Sequence, residues 1–290
     1  MSKGTNSIKA NLKNQNLAND LRLMLSSSHK KTTKIVLVEG EDDEKFMKSN
    51  VSENVIIKRS FNGGKGVVEV IKLLETMIPT NNRFIGIKDR DYGELENSDR
   101  IFYYDNNSLE LFLVESDEVL KKIYNEYYVG DINLCEIRNY ILNELKGLGI
   151  IRKLNEVHKW MINIRCVSID KAYNTNLNKV DIELIIGIIN ENNKNFFKQR
   201  EECLDIVHKE LEEHIEEEEL LLLIQGHDFI RLFQSICNNE RKRNKLPTNI
   251  TEREIGSAMR CSYSFTDFQK TDLYKLVNEY EKKYDLKILV

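Results

Sequence analysis

Apolar residues in the first third of the chain fall in short solid blocks that alternate with stretches of helical spacing. Lys34-Ile35-Val36-Leu37-Val38-Glu39-Gly40 sets four branched apolar residues between polar ones, the mark of a strand buried on both faces. Before it, Ile8, Leu12, Leu17, Leu21, Met24 and Leu25 lie roughly on one side of a helix predicted over Ser7 to Leu25, which Ser26 to Lys31 then breaks. After it, Asp42-Asp43 stand where a helix N-terminus is expected, acids at the positive end of the dipole, with Phe46 and Met47 to pack that helix down. Val55-Ile56-Ile57 predicts a second strand. Asn62 to Gly66 is rich in turn formers and feeds a helix with Val67, Val70, Ile71, Leu74, Met77 and Ile78 at helical spacing, ended by Pro79.

Arg83 to Lys88 predicts a third strand, which delivers Asp89-Arg90-Asp91. Ile101 to Tyr104 predicts a fourth, followed by Asp105-Asn106-Asn107-Ser108 and a helix opening at Leu109-Glu110. This alternation is an α/β pattern with a largely parallel sheet. Right-handed crossovers then place the strand ends that carry Glu39 and Asp89 on one edge, where open α/β sheets hold their ligands. Beyond Ser116 helical patterns dominate, as in Asp117 to Tyr128 and Phe268 to Tyr284, with some strand character from Arg165 to Tyr173. Gly147 and Gly149 suggest a joint, and the acidic run Glu210 to Glu219 a solvated helix face. The chain therefore divides into an N-terminal helical segment (1–31), an α/β domain (32–118) and a mainly α-helical region (119–290).

Composition narrows the class. With 41% hydrophobic and 31% charged residues the 290-residue chain reads as globular, and only 2 prolines and 13 glycines favour long regular elements. A net charge of -4 supplies no global basic field, although a local basic groove can coexist with acidic flanks. The 5 cysteines are widely spaced without a CxxC pair, pointing to reduced thiols rather than structural zinc. The N-terminal stretch lacks an apolar h-region, and Leu220 to Ile224 is too short to cross a bilayer, so a soluble, cytoplasmic protein without a membrane partner is expected.

The acids carry the chemistry. Asp89 and Asp91, two apart at a strand end, can project to one side. Carboxylates held that close repel unless a cation or proton intervenes, and hard oxygen ligands suit Mg²⁺ or Mn²⁺. Glu39 adds a third oxygen or serves as general acid/base. Exposed acids at loop mouths explain either half of this pattern; the two halves together favour a metal site. Asp43, one helical turn beyond Glu39, is either a further ligand or a helix acid stabilised by the dipole. Asn62 to Gly66 lacks Walker A spacing, so a turn before a helix is the simpler reading; the functional one has its amides and Lys65 touching a phosphate.

The remaining candidates have plain explanations. Asp228 reads as an N-cap with His227 in the preceding loop, and His158, His208 and His214 lack metal-ligand spacing. Glu240-Arg241-Lys242-Arg243-Asn244-Lys245, the densest basic cluster, is a solvated loop or a set of phosphate contacts, as are Lys30-Lys31, Lys34, Lys58 and Arg59. Trp160 reads as core before it reads as a base-stacking platform. Leu273, Leu276, Val277 and Tyr280 form a face that closes an internal core or a homodimer.

Val38-Glu39-Gly40, with Asp89-Arg90-Asp91 ending Phe84 to Lys88, resembles the Toprim fold of topoisomerases, primases and overcoming-lysogenization-type nucleases. The likeness spans about residues 33 to 118. It implies an acid/base or ligand role for Glu39 and Mg²⁺ binding by Asp89 and Asp91. A narrower match runs through Val38 to Phe46, Asp89-Arg90-Asp91-Tyr92, Asn107 to Leu113 and Gln225-Gly226-His227-Asp228. These stretches look like a family of Toprim proteins found beside ABC-type ATPases in anti-phage defence, of which the AriB effector of the PARIS system is an example. That resemblance implies Glu110 as a further ligand, an ABC-type ATPase partner, and nuclease toxicity toward tRNA. For an RNA target the 2′-hydroxyl or a water is the nucleophile. A DNA nickase on the same scaffold and a non-catalytic regulatory subunit are the rival readings.

Overall fold

The computed structural model describes residues 3–27, 32–175 and 177–290, and the side chains from residue 9 onward. In chain order the elements begin with α1 (Lys3–Ser26), β1 (Lys34–Val38), α2 (Glu41–Lys48), β2 (Val55–Arg59), α3 (Gly63–Met77), β3 (Phe84–Lys88) and β4 (Ile101–Tyr103). Then follow α4 (Leu109–Val114), α5 (Asp117–Tyr127), α6 (Leu134–Val157), α7 (Ile169–Ala172), β5 (Tyr173–Asn174), β6 (Lys179–Val180), α8 (Ile182–Asn192) and α9 (Phe196–Gln199). The chain closes with α10 (Glu201–Glu212), α11 (Glu217–Leu223), α12 (Gly226–Arg243), α13 (Glu252–Ser262), α14 (Phe265–Phe268) and α15 (Asp272–Tyr284). No described helix is long and apolar enough to cross a membrane.

Two compact units result, and neither is continuous in sequence. The first comprises residues 1–90, 94–105 and 264–290; the second comprises 91–93 and 106–263. The sequence-based division at residue 118 follows a change in composition, whereas these units follow contacts.

The first unit is built on a four-stranded sheet in the order β2-β1-β3-β4, with every pairing parallel. Because side chains alternate along a strand, Ile35 and Leu37 face one layer and Val36 and Val38 the other, and all four are fully buried. Ile35 and Leu37 join Phe84 in a core closed by Val67, Val70, Ile71 and Leu74 of α3 and by Ala18, Leu21 and Leu25 of α1. Burying each of the larger of these side chains contributes roughly 1.5–3 kcal/mol.

The predicted N-terminal helix is present, but its buried stripe is Asn14, Ala18, Leu21 and Leu25, while Leu12 is 55% exposed. Ile8 as a packing residue, and Lys30 and Lys31, lie outside the described residues. The C-terminal segment returns to this unit: Leu289 bridges Val51, and Leu273, Val277 and Tyr280 of α15 are buried within it. The face drawn through those residues therefore closes an internal core, leaving Leu276 half exposed.

Among the described residues the regular elements of the second unit are helical apart from the antiparallel pair β5–β6. Its axis is α6, whose Ile137, Ile141, Leu142, Leu145, Leu148 and Ile151 are buried. Gly147 and Gly149 do not form a joint. They sit inside this unbroken helix, where a Cβ on Gly147 would meet Ile182 at 2.7 Å and one on Gly149 would meet Leu223 at 3.0 Å. These glycines permit close packing of neighbouring elements. Arg165 to Tyr173 is mainly a short 3-10 turn and α7, with strand only from Tyr173. The acidic run is solvated as expected but is divided between α10 and α11. All five cysteines are free thiols.

Candidate functional site

In the first unit, parallel pairing of β1 with β3 brings their C-terminal ends out side by side. Glu39 follows β1, and its Oε1 accepts a hydrogen bond from the Asp89 backbone N–H at 2.9 Å. Lys88 ends β3 with only 8% exposure; its Nζ donates to the Asp89 carbonyl at 2.6 Å and stands 5.1 Å from the centre of the Tyr103 ring. Asn62, in the left-handed conformation at φ 77°, turns the chain into α3. The first turn of α3 then lies so close that a Cβ on Gly64 would stand 2.5 Å from Glu39 Oε1 and 2.4 Å from Lys88 Cε. A side chain there would have to push Glu39 or Lys88 aside. Lys65 is exposed on that same turn.

Asp43 lies in the first turn of α2 and is 8% exposed. Its Oδ2 accepts from the Gly40 N–H at 3.1 Å, and its Oδ1 accepts from the Tyr104 hydroxyl at 2.9 Å. It braces the Gly40 turn that aims Glu39. Tyr104 is fully buried, and burial pushes its phenol well above the ordinary range, reinforced by the negative charges of Asp43, Asp89 and Glu39. Three carboxylates from separate strand and helix ends thus act on one buried hydroxyl.

Asp91 and Glu110 belong to the second unit. Both Asp89 and Asp91 lie past the end of the strand, because β3 stops at Lys88, and Asp91 takes a left-handed backbone at φ 53°. Strand alternation has no force beyond the strand. The Asp91 N–H donates to the Asn107 carbonyl at 3.3 Å, and Asn107 Nδ2 donates to the Leu222 carbonyl at 2.9 Å. Glu110, in the first turn of α4, accepts from the Ser108 hydroxyl at 2.8 Å, and His227 Nδ1 stands 3.6 Å from its other oxygen.

Asp228 is not an N-cap. Gln225 takes that position, His227 is inside the first turn of α12, and Asp228 is 4% exposed in a two-point pair with Arg152. The Tyr92 hydroxyl donates to the Leu223 carbonyl at 2.8 Å, and burial pushes this phenol upward.

Donor chemistry favours a hard divalent ion, since Glu39, Asp43 and Asp89 offer only oxygens. Among the described residues no group of three or more His, Cys, Asp or Glu side chains is arranged to hold a metal by itself. Mg²⁺ does not need such a cage; it uses one or two carboxylates and keeps waters that a phosphate replaces. Asp43 uses both of its oxygens to accept hydrogen bonds, from the Gly40 N–H and the Tyr104 hydroxyl.

Two contributors escaped the sequence reading. Lys88 carried a signal, a lysine closing an otherwise apolar strand directly before an acid. Tyr104 carried none, because its partner Asp43 is 61 residues away. Compared with known proteins, the chain matches no family model and no curated protein.

Proposed function

We propose that the chain is a Toprim-like, Mg²⁺-dependent nuclease that cuts RNA, with tRNA as target, as a toxic effector in anti-phage defence under the control of an ABC-type ATPase. The observation that carries this reading is the Glu39 carboxylate fixed on the Asp89 N–H at paired ends of parallel strands, with Lys88 beside it. Glu39 takes the proton from the attacking oxygen, a 2′-hydroxyl or a water. Asp43 holds the turn that aims it, and the Lys88 ammonium balances negative charge at the Asp89 loop. Lys65 and the amides at the start of α3 receive a phosphate oxygen. Asp89 would hold the ion, with Glu39 a further ligand in the alternative to its role as base; when bound the ion stabilises charge on the phosphoryl oxygens and leaving group. The metal roles of Asp91 and Glu110, and the ATPase partner, rest on the sequence resemblance.

The test is incubation of the purified protein with labelled tRNA and plasmid DNA, with Mg²⁺, with Mn²⁺ and with EDTA. Metal-dependent cleavage of tRNA that Glu39→Gln abolishes supports the reading. Cleavage of plasmid alone moves the substrate to DNA. A protein inert on both, purified with and without its ATPase, sinks the assignment.

A further inference from the structure

An aromatic stack in the second unit is assigned no role by the acids described above. The His158 ring lies on Trp160 with centroids 5.5 Å apart and planes at 17°, and Trp160 in turn meets Phe196 at 5.9 Å. Phe197 anchors the group in the core, being 1% exposed and edge-on to Trp160. The outer rings are not sealed: His158 is exposed, Trp160 and Phe196 are half-buried, and neighbouring Met161 is 88% exposed.

The backbone beneath is held in place at a cost. Among the described residues nine non-glycines have positive φ, and four of them (Lys159, Met161, Lys194 and Asn195) lie in the two loops that carry these rings. A left-handed lysine or methionine is uncommon and persists where surrounding structure fixes it. Here Asn155 clamps both polar groups of the Ile162 peptide position, at 2.9 Å and 3.2 Å. Asn193 ties the loops together, accepting from the Asn163 N–H at 2.7 Å and donating to its carbonyl at 3.3 Å. These bonds tie the two loops to each other and to α6.

Charge tells what it receives. Residues 157–163 and 193–200 contain Lys159, Lys194, Lys198 and Arg200 and no acid; Glu156, Glu191, Glu201 and Glu202 begin only on the flanking helices. Arg200 lies over the Phe196 ring at 4.9 Å. Among the described residues the three lysines enter no ion pair, and all three are exposed. The stacked His158–Trp160 pair, open on its His158 side and backed by Phe196 tilted at 45°, sits in loops that carry unpaired lysines and matches a single strand: bases continue the stack and phosphates meet the lysines. A duplex, its bases already stacked on one another, offers no face to such a platform. We infer that the His158–Trp160–Phe196 platform binds an unpaired stretch of nucleic acid. The inference deepens the nuclease reading and rests on it for the choice of a nucleic-acid ligand, but binding is measured apart from cleavage.

Trp160 is the only tryptophan in the chain, so its emission reports the site directly. With the whole protein in EDTA, titration with a single-stranded oligouridylate is expected to quench that emission, while an RNA duplex of equal length does not. The log–log salt slope should be about -2 to -3, the value for three or four phosphates on a single strand. Trp160→Ala, followed by anisotropy of labelled oligonucleotide, should weaken binding roughly 5- to 150-fold, with Trp160→Phe retaining most of it. Because Trp160→Ala can disturb the core through Phe197, the exposed variant Lys159→Glu/Lys194→Glu/Lys198→Glu is the second arm and should remove most of the salt dependence. Emission unchanged by the oligouridylate, or an affinity and slope unaltered in the triple variant, overturns the platform. Cleavage that persists in that case leaves the nuclease standing without it; quenching without cleavage leaves a binding site without the nuclease.

Discussion

The Glu39 carboxylate and the Asp89 backbone N–H are joined at 2.9 Å across two neighbouring strand ends, 50 residues apart in sequence. This bond fixes the side chain that the proposed chemistry uses as a base, and it separates two consequences of mutation. In Glu39→Gln the amide oxygen still accepts from Asp89 while the charge is gone. Glu39→Ala loses both. Glu39→Gln should therefore lower the cleavage rate by about 100- to 10,000-fold with a thermal midpoint close to that of the parent. Glu39→Ala should match that loss and also unfold earlier, because the Asp89 N–H loses its partner. Measurement of rate and midpoint on the same preparations decides; a fully active Glu39→Gln protein removes Glu39 from the reaction.

Gly64 gives an independent handle on the same carboxylate without changing it. A methyl group there would stand 2.5 Å from Glu39 Oε1 and 2.4 Å from Lys88 Cε, well inside contact distance. Gly64→Ala should displace Glu39, and misplacement of a reacting group by about 1 Å costs on the order of 100-fold in rate. Gly187, in α8, has open space where its Cβ would be, so Gly187→Ala serves as the control and should stabilise the helix by up to about 1 kcal/mol with activity unchanged. Equal activity in the two variants would mean that the Gly64 contact does not bear on the chemistry.

How much of this was legible in the sequence depends on the range of the interactions. The four strands and a largely parallel sheet were readable, though not the strand order, because a buried parallel strand writes a solid apolar block, as in Ile35 to Val38, and helices between such blocks favour crossovers. That Glu39 and Asp89 lie on one edge followed from the crossover rule; the hydrogen bond between them did not. For Asp91 period-two reasoning decides nothing, because the strand has ended at Lys88. Asp228 failed because an acid near a helix start looks the same whether it caps the helix or meets a buried arginine, and Arg152 lies 76 residues upstream. The glycines of α6 were misread for a related reason: local sequence gives their permissiveness but not the side chains that press against them.

The Arg152–Asp228 pair is a bidentate one, Nε to Oδ2 at 2.8 Å and Nη2 to Oδ1 at 3.2 Å, with side-chain exposures of 14% and 6%. Removal of one member leaves the other charge buried without its partner. Asp228→Ala or Arg152→Ala should each destabilise the protein by about 3–5 kcal/mol, whereas replacing both with apolar residues of similar volume should cost far less. Arg152→Lys should fall between, since an ammonium cannot reproduce the two-point contact. Urea unfolding of the four variants tests the set; additive single losses in the double variant would contradict a coupled pair.

Glu144 predicts a pH dependence of opposite sense to that of an ordinary paired carboxylate. Burial raises its pKa from 4.5, opposed by the Val180 N–H, which donates to its Oε2 at 2.6 Å, and by the charge of Lys179. Below about pH 4.5 the carboxyl is protonated in both folded and unfolded chains. As pH rises from there through the higher folded value, the unfolded chain has already lost its proton while the folded one still holds it. Over that window the folded state binds more protons, so stability falls with rising pH, and above it the loss is complete. In Glu144→Gln the amide oxygen keeps the Val180 hydrogen bond without the charge. The variant should therefore match the parent near pH 4 and be the more stable at pH 7, a difference read from thermal midpoints of both proteins across that range. A gap that is absent at pH 7, or that is largest at low pH, would show that the buried charge of Glu144 does not cost this protein stability.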